Sequence, residues 1–294
     1  MKQKYELYNT KSSLGIEPDD KTLWKACQLG YEKNRKNKKV DGLNYYYTYD
    51  DEKGLYVDVY LNNKSLVFVF NGPDIPMSND LKADYVMGIK NKIPGQFDRA
   101  QRFFEQIQEI PEFEGLNVII TGYSLGGSIA VYLGTKFGDR TVAFSPYGIG
   151  NLIKPRFIDN ITNYGNPNDT IFMRNFEHQI GNVKYVFNYK NFETGHEYVK
   201  NDKLKEIQNI INFHFPDKMG DIDFATDDIT GQEFLNKVQR TYGGSIESAI
   251  EKYNNNSYTK IMSNPNNCPG YVDVRSYTRN GKEVSGYRRD CPIH

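Results

Sequence analysis

The sequence predicts an α/β fold: a mostly parallel central sheet with crossover helices, entered through an antiparallel meander. Three observations carry this expectation. Ser65-Leu66-Val67-Phe68-Val69-Phe70 is almost uniformly apolar, as a central strand covered on both faces must be. Apolar runs then alternate with stretches of helical spacing: strand 66–70, helix 97–109, strand 116–121, helix 127–137, strand 141–145. Between the second strand and its helix stands Thr121-Gly122-Tyr123-Ser124-Leu125-Gly126-Gly127, which reads as strand, tight turn, helix.

Taken in chain order, residues 20–33 place Leu23, Trp24, Cys27 and Tyr31 on one side of a helix, with Asp19-Asp20 as caps. The meander follows. Tyr45 to Tyr49 is one strand, Asp50 to Gly54 a turn, and Leu55 to Leu61 alternates Val57, Val59 and Leu61 against Tyr56, Asp58 and Tyr60. Phe97, Ala100, Phe103, Phe104 and Ile107 mark the first crossover helix, which Pro111 stops. Further strands are expected at Thr170 to Met173 and, more weakly, Lys184 to Phe187; Leu204, Ile207, Ile210 and Ile211 mark a helix.

After residue 218 the character changes. Two polar helical patterns, Glu233 to Gln239 and Ser245 to Tyr253, precede a β-hairpin over 272–288 whose Asn280-Gly281 suits a two-residue turn. The expected organisation is a main domain over 1–218, a helical extension over 219–267 and a hairpin tail over 268–294. The tail reads either as a docking element for a protein partner or as a cap on a sheet edge.

The chain has 294 residues, enough for one sizeable core with appendages. Its formal net charge is +0, so no basic excess exists to neutralise phosphates, and nucleic acid is not expected as a partner. Met1 to Leu7 has no apolar core of a secretory signal, and no stretch approaches the roughly 20 apolar residues of a membrane span. The expectation is a cytoplasmic protein, or one exported without such a signal. Cys268 and Cys291 either pair or remain thiols; with His294 they supply only three donors, and neither a metal nor an organic cofactor is expected.

Ser124 sits at the apex of a Gly-x-Ser-x-Gly, where small residues let strand and helix pass beside the serine. Leu125 opens the helix, so its backbone N–H is available to a developing oxyanion. A serine hydroxyl needs a histidine to take its proton and an acid to orient that histidine. Four histidines follow: His178, His196, His214 and His294.

The pieces from 66 to 196 occur in an order that resembles the class 3 (fungal-type) lipases and their bacterial relatives among the α/β-hydrolases. They are Val69-Phe70-Asn71-Gly72-Pro73-Asp74, Gln96-Phe97-Asp98-Arg99-Ala100, the Ser124 heptapeptide, Ala143-Phe144-Ser145-Pro146-Tyr147-Gly148-Ile149-Gly150-Asn151, and Asn166-Pro167-Asn168-Asp169-Thr170-Ile171. The resemblance implies an α/β-hydrolase that cleaves lipid esters, a lipase or phospholipase A, with Asp169 as the acid. His178 falls at a position that looks structural in these relatives. Gly195-His196-Glu197 reads as a loop, which suits a catalytic base, so His196 is expected in that role with His214 in reserve.

The relatives also place an oxyanion donor just after the glycine that Gly72 matches. Here that residue is Pro73, which has no N–H, and the N–H of Asp74 is the expected substitute. Residues 73–95, with Met77, Leu81, Tyr85, Val86 and Met87, read as a lid or as core packing. A lid would imply transient contact with a membrane surface. An amidase or thioesterase with the same triad, or a weak pseudo-hydrolase that binds, are the alternative readings.

Overall fold

The computed structural model describes residues 16–31, 40–72, 93–188, 209–216 and 218–256, and as backbone 257–262 and four short strands between 271 and 290. The chain divides into two units, Met1–Ile229 and Thr230–His294. The first runs past the boundary expected at 218. Met219 is fully buried in one of its cores, and Thr226 exchanges backbone hydrogen bonds with Tyr185 at 2.7 and 3.0 Å.

Within the first unit, seven strands of the described residues form one sheet in sequential order. They are β1 (Asn44–Asp50), β2 (Tyr56–Leu61), β3 (Ser65–Asn71), β4 (Asn117–Tyr123), β5 (Arg140–Phe144), β6 (Ile161–Gly165) and β7 (Asn182–Tyr185). The meander β1–β2–β3 is antiparallel, and every neighbour from β3 to β7 is parallel. The sheet is therefore mixed and mostly parallel.

Strand alternation separates two cores. Val57, Val59, Phe68, Phe70 and Ile120 meet α2 (Gly95–Gln108) and α3 (Leu125–Phe137) on one face. Tyr60, Val67, Val69, Ile119 and Val142 meet α1 (Asp20–Leu29) on the other, through Leu23, Trp24 and Cys27. All seven residues of β3 are buried, as its uniform sequence required. Truncating one of its phenylalanines to alanine would cost about 3–5 kcal/mol.

One local expectation is corrected. Thr170–Arg174 is a short helix, α4, not a strand. Asp169 accepts from Ile171 N at 2.9 Å, and that cap outweighs the β-propensity of Thr170 and Ile171. The sheet instead takes up β6, which carries too little alternation to stand out in the sequence. The helix marked by Leu204 to Ile211 lies mostly outside the described residues. Its end is a π-helical turn, Ile210–His214.

In the second unit, α5 (Gln232–Tyr242) and α6 (Ile246–Met262) pack through Phe234, Val238, Ala249 and Tyr253, with the Phe234 and Tyr253 rings edge-on at 5.2 Å. Tyr271–Val274 pairs with Tyr287–Asp290, and Tyr277–Arg279 with Lys282–Val284, both antiparallel. The two ladders share one pairing offset, with Lys282 opposite Arg279 and Tyr287 opposite Val274; the Asn280-Gly281 turn itself lies outside the described residues.

Candidate active site

The carboxyl ends of parallel strands are where open α/β sheets gather functional groups, because strand-to-helix connections converge there. Ser124 follows the last residue of β4 and precedes the first of α3, with φ 56° and ψ −124°. A side chain at positive φ is strained by about 1–3 kcal/mol and persists only where its surroundings impose it. Here they do. Ser124 N donates to Phe144 O at 2.9 Å, and its carbonyl accepts from Ser128 N at 3.0 Å.

The flanking glycines make the turn sterically feasible. A Cβ on Gly126 would collide with Phe70 O and lie 2.9 Å from Asn71 C; one on Gly122 would collide with Gly126 O and lie 2.7 Å from Phe70 O. The start of α3 therefore crosses over the ends of β3 and β4 at backbone contact. Leu125 is the first residue of α3, so its N–H has no acceptor within the helix and points from the positive end of the helix dipole.

Three side chains from distant parts of the chain meet at this turn. Ser124 Oγ lies 2.8 Å from His214 Nε2, across 90 residues of sequence. His214 Nδ1 lies 2.8 Å from Asp169 Oδ2. The Asp169 carboxylate is fully buried and the His214 ring is 12% exposed. A carboxylate only accepts, so Nδ1 carries the ring hydrogen and Nε2 is left to accept from the serine hydroxyl. The imidazole also lies against the Tyr123 ring, tilted by 31° with centroids 5.4 Å apart.

Each support has its own local cause. Asp169 follows a turn in which Asn166 Oδ1 accepts from Asn168 N at 2.9 Å, while Asn166 Nδ2 donates to Met219 O at 2.9 Å. That second bond ties the acid's turn to the segment just after His214. Ser128, one turn into α3, donates to Tyr147 O at 3.1 Å and accepts from Tyr147 N at 2.9 Å, holding the 145–151 loop against the nucleophile's helix. Under β4, Thr121 Oγ1 donates to Val142 O at 2.6 Å and lies 3.5 Å from Cys27 Sγ. Burial pushes the Cys27 thiol up to about 12.

Of the expected site residues, Ser124, Asp169 and Leu125 come together here. The histidine on Ser124 is His214, so the position expected for His196 is filled by the reserve candidate; His196 itself lies outside the described residues. Asp74, expected as the second oxyanion donor, and the 73–92 part of the expected lid lie outside them too, as do Cys268, Cys291 and His294. The backbone carbonyl of His178 accepts from Gly150 N at 2.8 Å. No sequence signal separates a histidine on a loop from one on a single π-helical turn, although such turns often occur at functional sites.

No family model and no curated protein matches this sequence. Among solved structures, the chain is similar to the Lip2 lipase from Yarrowia lipolytica at 10% identity and TM-score 0.40. It is similar to a triacylglycerol lipase from Penicillium expansum at 14% identity and TM-score 0.41. Each match covers 57% of this chain and 79% of the other.

Proposed function

We propose that this protein is a serine hydrolase that cleaves carboxylic esters of lipids through an acyl-serine intermediate. One observation carries the reading: the unbroken hydrogen-bonded line from Asp169 through His214 to Ser124, at 2.8 Å in both links. Ser124 Oγ adds to the ester carbonyl as its proton passes to His214 Nε2. The C–O bond to the alcohol then breaks, and the same proton leaves with the alcohol. A water repeats the sequence on the acyl-serine, releasing the acid and restoring the hydroxyl.

Asp169 stabilises the imidazolium formed in each half, and the Leu125 N–H faces the oxygen that becomes negative. His214 is assigned as the base in place of His196 because both its ring nitrogens are engaged in the required sense. The lipid character of the ester follows from the resemblance to class 3 lipases; phospholipid and acylglycerol are the two candidate classes. A substrate presented on a lipid surface brings the protein into transient contact with it, and the C-terminal hairpin offers a separate element to a protein partner.

Hydrolysis of short and medium acyl esters by wild type and by Ser124→Ala tests the proposal. A rate that disappears in the variant supports it, and equal rates in the two reject it. Amide and thioester substrates run beside the esters identify an amidase or thioesterase.

A further inference from the structure

Tyr31, just beyond the end of α1, brings its phenol oxygen to the nucleophile. Gly72 reveals the distance. A Cβ on Gly72 would overlap Tyr31 Oη, while lying 3.3 Å from Tyr123 O and 3.6 Å from Ser124 Cβ. Tyr31 Oη and Ser124 Cβ thus both border the space that a side chain at Gly72 would fill.

The placement is built from several contacts. A Cβ on Gly30 would overlap the Asn71 side-chain amide, so the end of α1 is seated directly on the end of β3. Asn71 is itself fixed, because its Nδ2 donates at 2.8 Å to Asp58, a buried carboxylate that also accepts from Thr48 Oγ1 at 2.5 Å. The Tyr31 ring stands edge-on to Tyr123, with centroids 5.6 Å apart and planes at 89°. Tyr123 in turn packs against the His214 ring.

We propose that Tyr31 is a catalytic residue whose hydroxyl donates a hydrogen bond to the oxyanion formed on Ser124, opposite the Leu125 N–H. The proposal rests on the hydrolase reading. An oxygen that gains a full charge in a site partly closed to water needs more than one donor. Gly72 is followed in sequence by Pro73, which has no N–H in any conformation. Tyr31 Oη borders the space between Gly72 and Ser124 Cβ. A phenol suits the role because it reaches across the space left by Gly72 while its ring stays packed on Tyr123.

The test replaces Tyr31 by 4-aminophenylalanine and by 4-fluorophenylalanine, which fill nearly the same volume and differ in having an N–H donor. Hydrolysis of 4-nitrophenyl butyrate is the readout, beside Tyr31→Phe. The fluoro and phenylalanine proteins should lose about 10²-fold in kcat with KM little changed, as loss of one oxyanion donor does. The amino protein should keep most of the rate. Inhibition by butylboronic acid, which forms a tetrahedral adduct on serine, should weaken in parallel with kcat.

Equal kcat for the amino and fluoro proteins, in an active wild type, overturns the role of Tyr31 alone. A wild type that neither hydrolyses the ester nor reacts with a fluorophosphonate overturns the hydrolase reading and this proposal with it.

Discussion

Asp169 and His214 are joined through one carboxylate oxygen only: Oδ2 meets Nδ1 at 2.8 Å, while Oδ1 caps α4 by accepting from Ile171 N at 2.9 Å. The two oxygens therefore have separate partners, the imidazole and the helix cap. In Asp169→Asn the amide oxygen can keep the cap, since asparagine caps helices as well as aspartate does. The nitrogen then faces Nδ1, and the ring must turn its other tautomer to the serine. We expect kcat to fall about 10⁴-fold with the thermal midpoint little changed, measured by ester hydrolysis and calorimetry on one preparation. A variant within tenfold of wild type would remove Asp169 from the mechanism.

Ser145 has φ 44°, is fully buried, and among the described residues its Oγ has no hydrogen-bond partner. Its N–H is held by Tyr164 O at 2.6 Å, which fixes the backbone where glycine would be at ease. Ser145→Gly removes a strained Cβ and an unpaired hydroxyl together. After the extra unfolded-state entropy of glycine, a net gain of about 1 kcal/mol is expected in denaturant unfolding. A loss of stability would mean that the hydroxyl is satisfied in the folded protein.

Cys27 gives a pH prediction. Its thiol is pushed up to about 12 from an ordinary value of 9.0, first by burial, against a smaller opposing effect of the Thr121 hydrogen bond. Above pH 9 the unfolded chain loses this proton while the folded one retains it, so unfolding is favoured as pH rises from about 9 to about 12. The stabilisation is complete below that window. By pH 10 wild type should have lost about 1 kcal/mol relative to its value at pH 8, a loss that Cys27→Ala lacks. Parallel pH slopes for the two proteins would contradict the buried neutral thiol.

The sheet was legible because its signals were local. The uniform apolar run of β3, the alternation in β2 and the glycines around Ser124 each dictate a conformation from a few neighbouring residues. The helix at Thr170–Arg174 was missed because the capping carboxylate lies one residue outside the apolar stretch that suggested a strand. Ser124 and Asp169 carry ordered motifs and could be named from the sequence. His214 carries none: what holds it beside Ser124 is the Asn166–Met219 bond just after it and its ring contact with Tyr123. Tyr31 was legible as a core position on a helix face. Its approach to the nucleophile depends on two glycines far apart in sequence, Gly30 and Gly72, and only the assembled fold brings them together.

In the proposed mechanism Ser124 is made reactive by His214. A fluorophosphonate probe followed by peptide mass mapping tests it most directly, applied to wild type, His214→Gln and His196→Gln. The expected result is a label on Ser124 in wild type and in His196→Gln, and a labelling rate reduced by about 10⁴-fold or more in His214→Gln. A label on Ser124 that survives in His214→Gln but is lost in His196→Gln, or a wild-type label on any other residue, would contradict it.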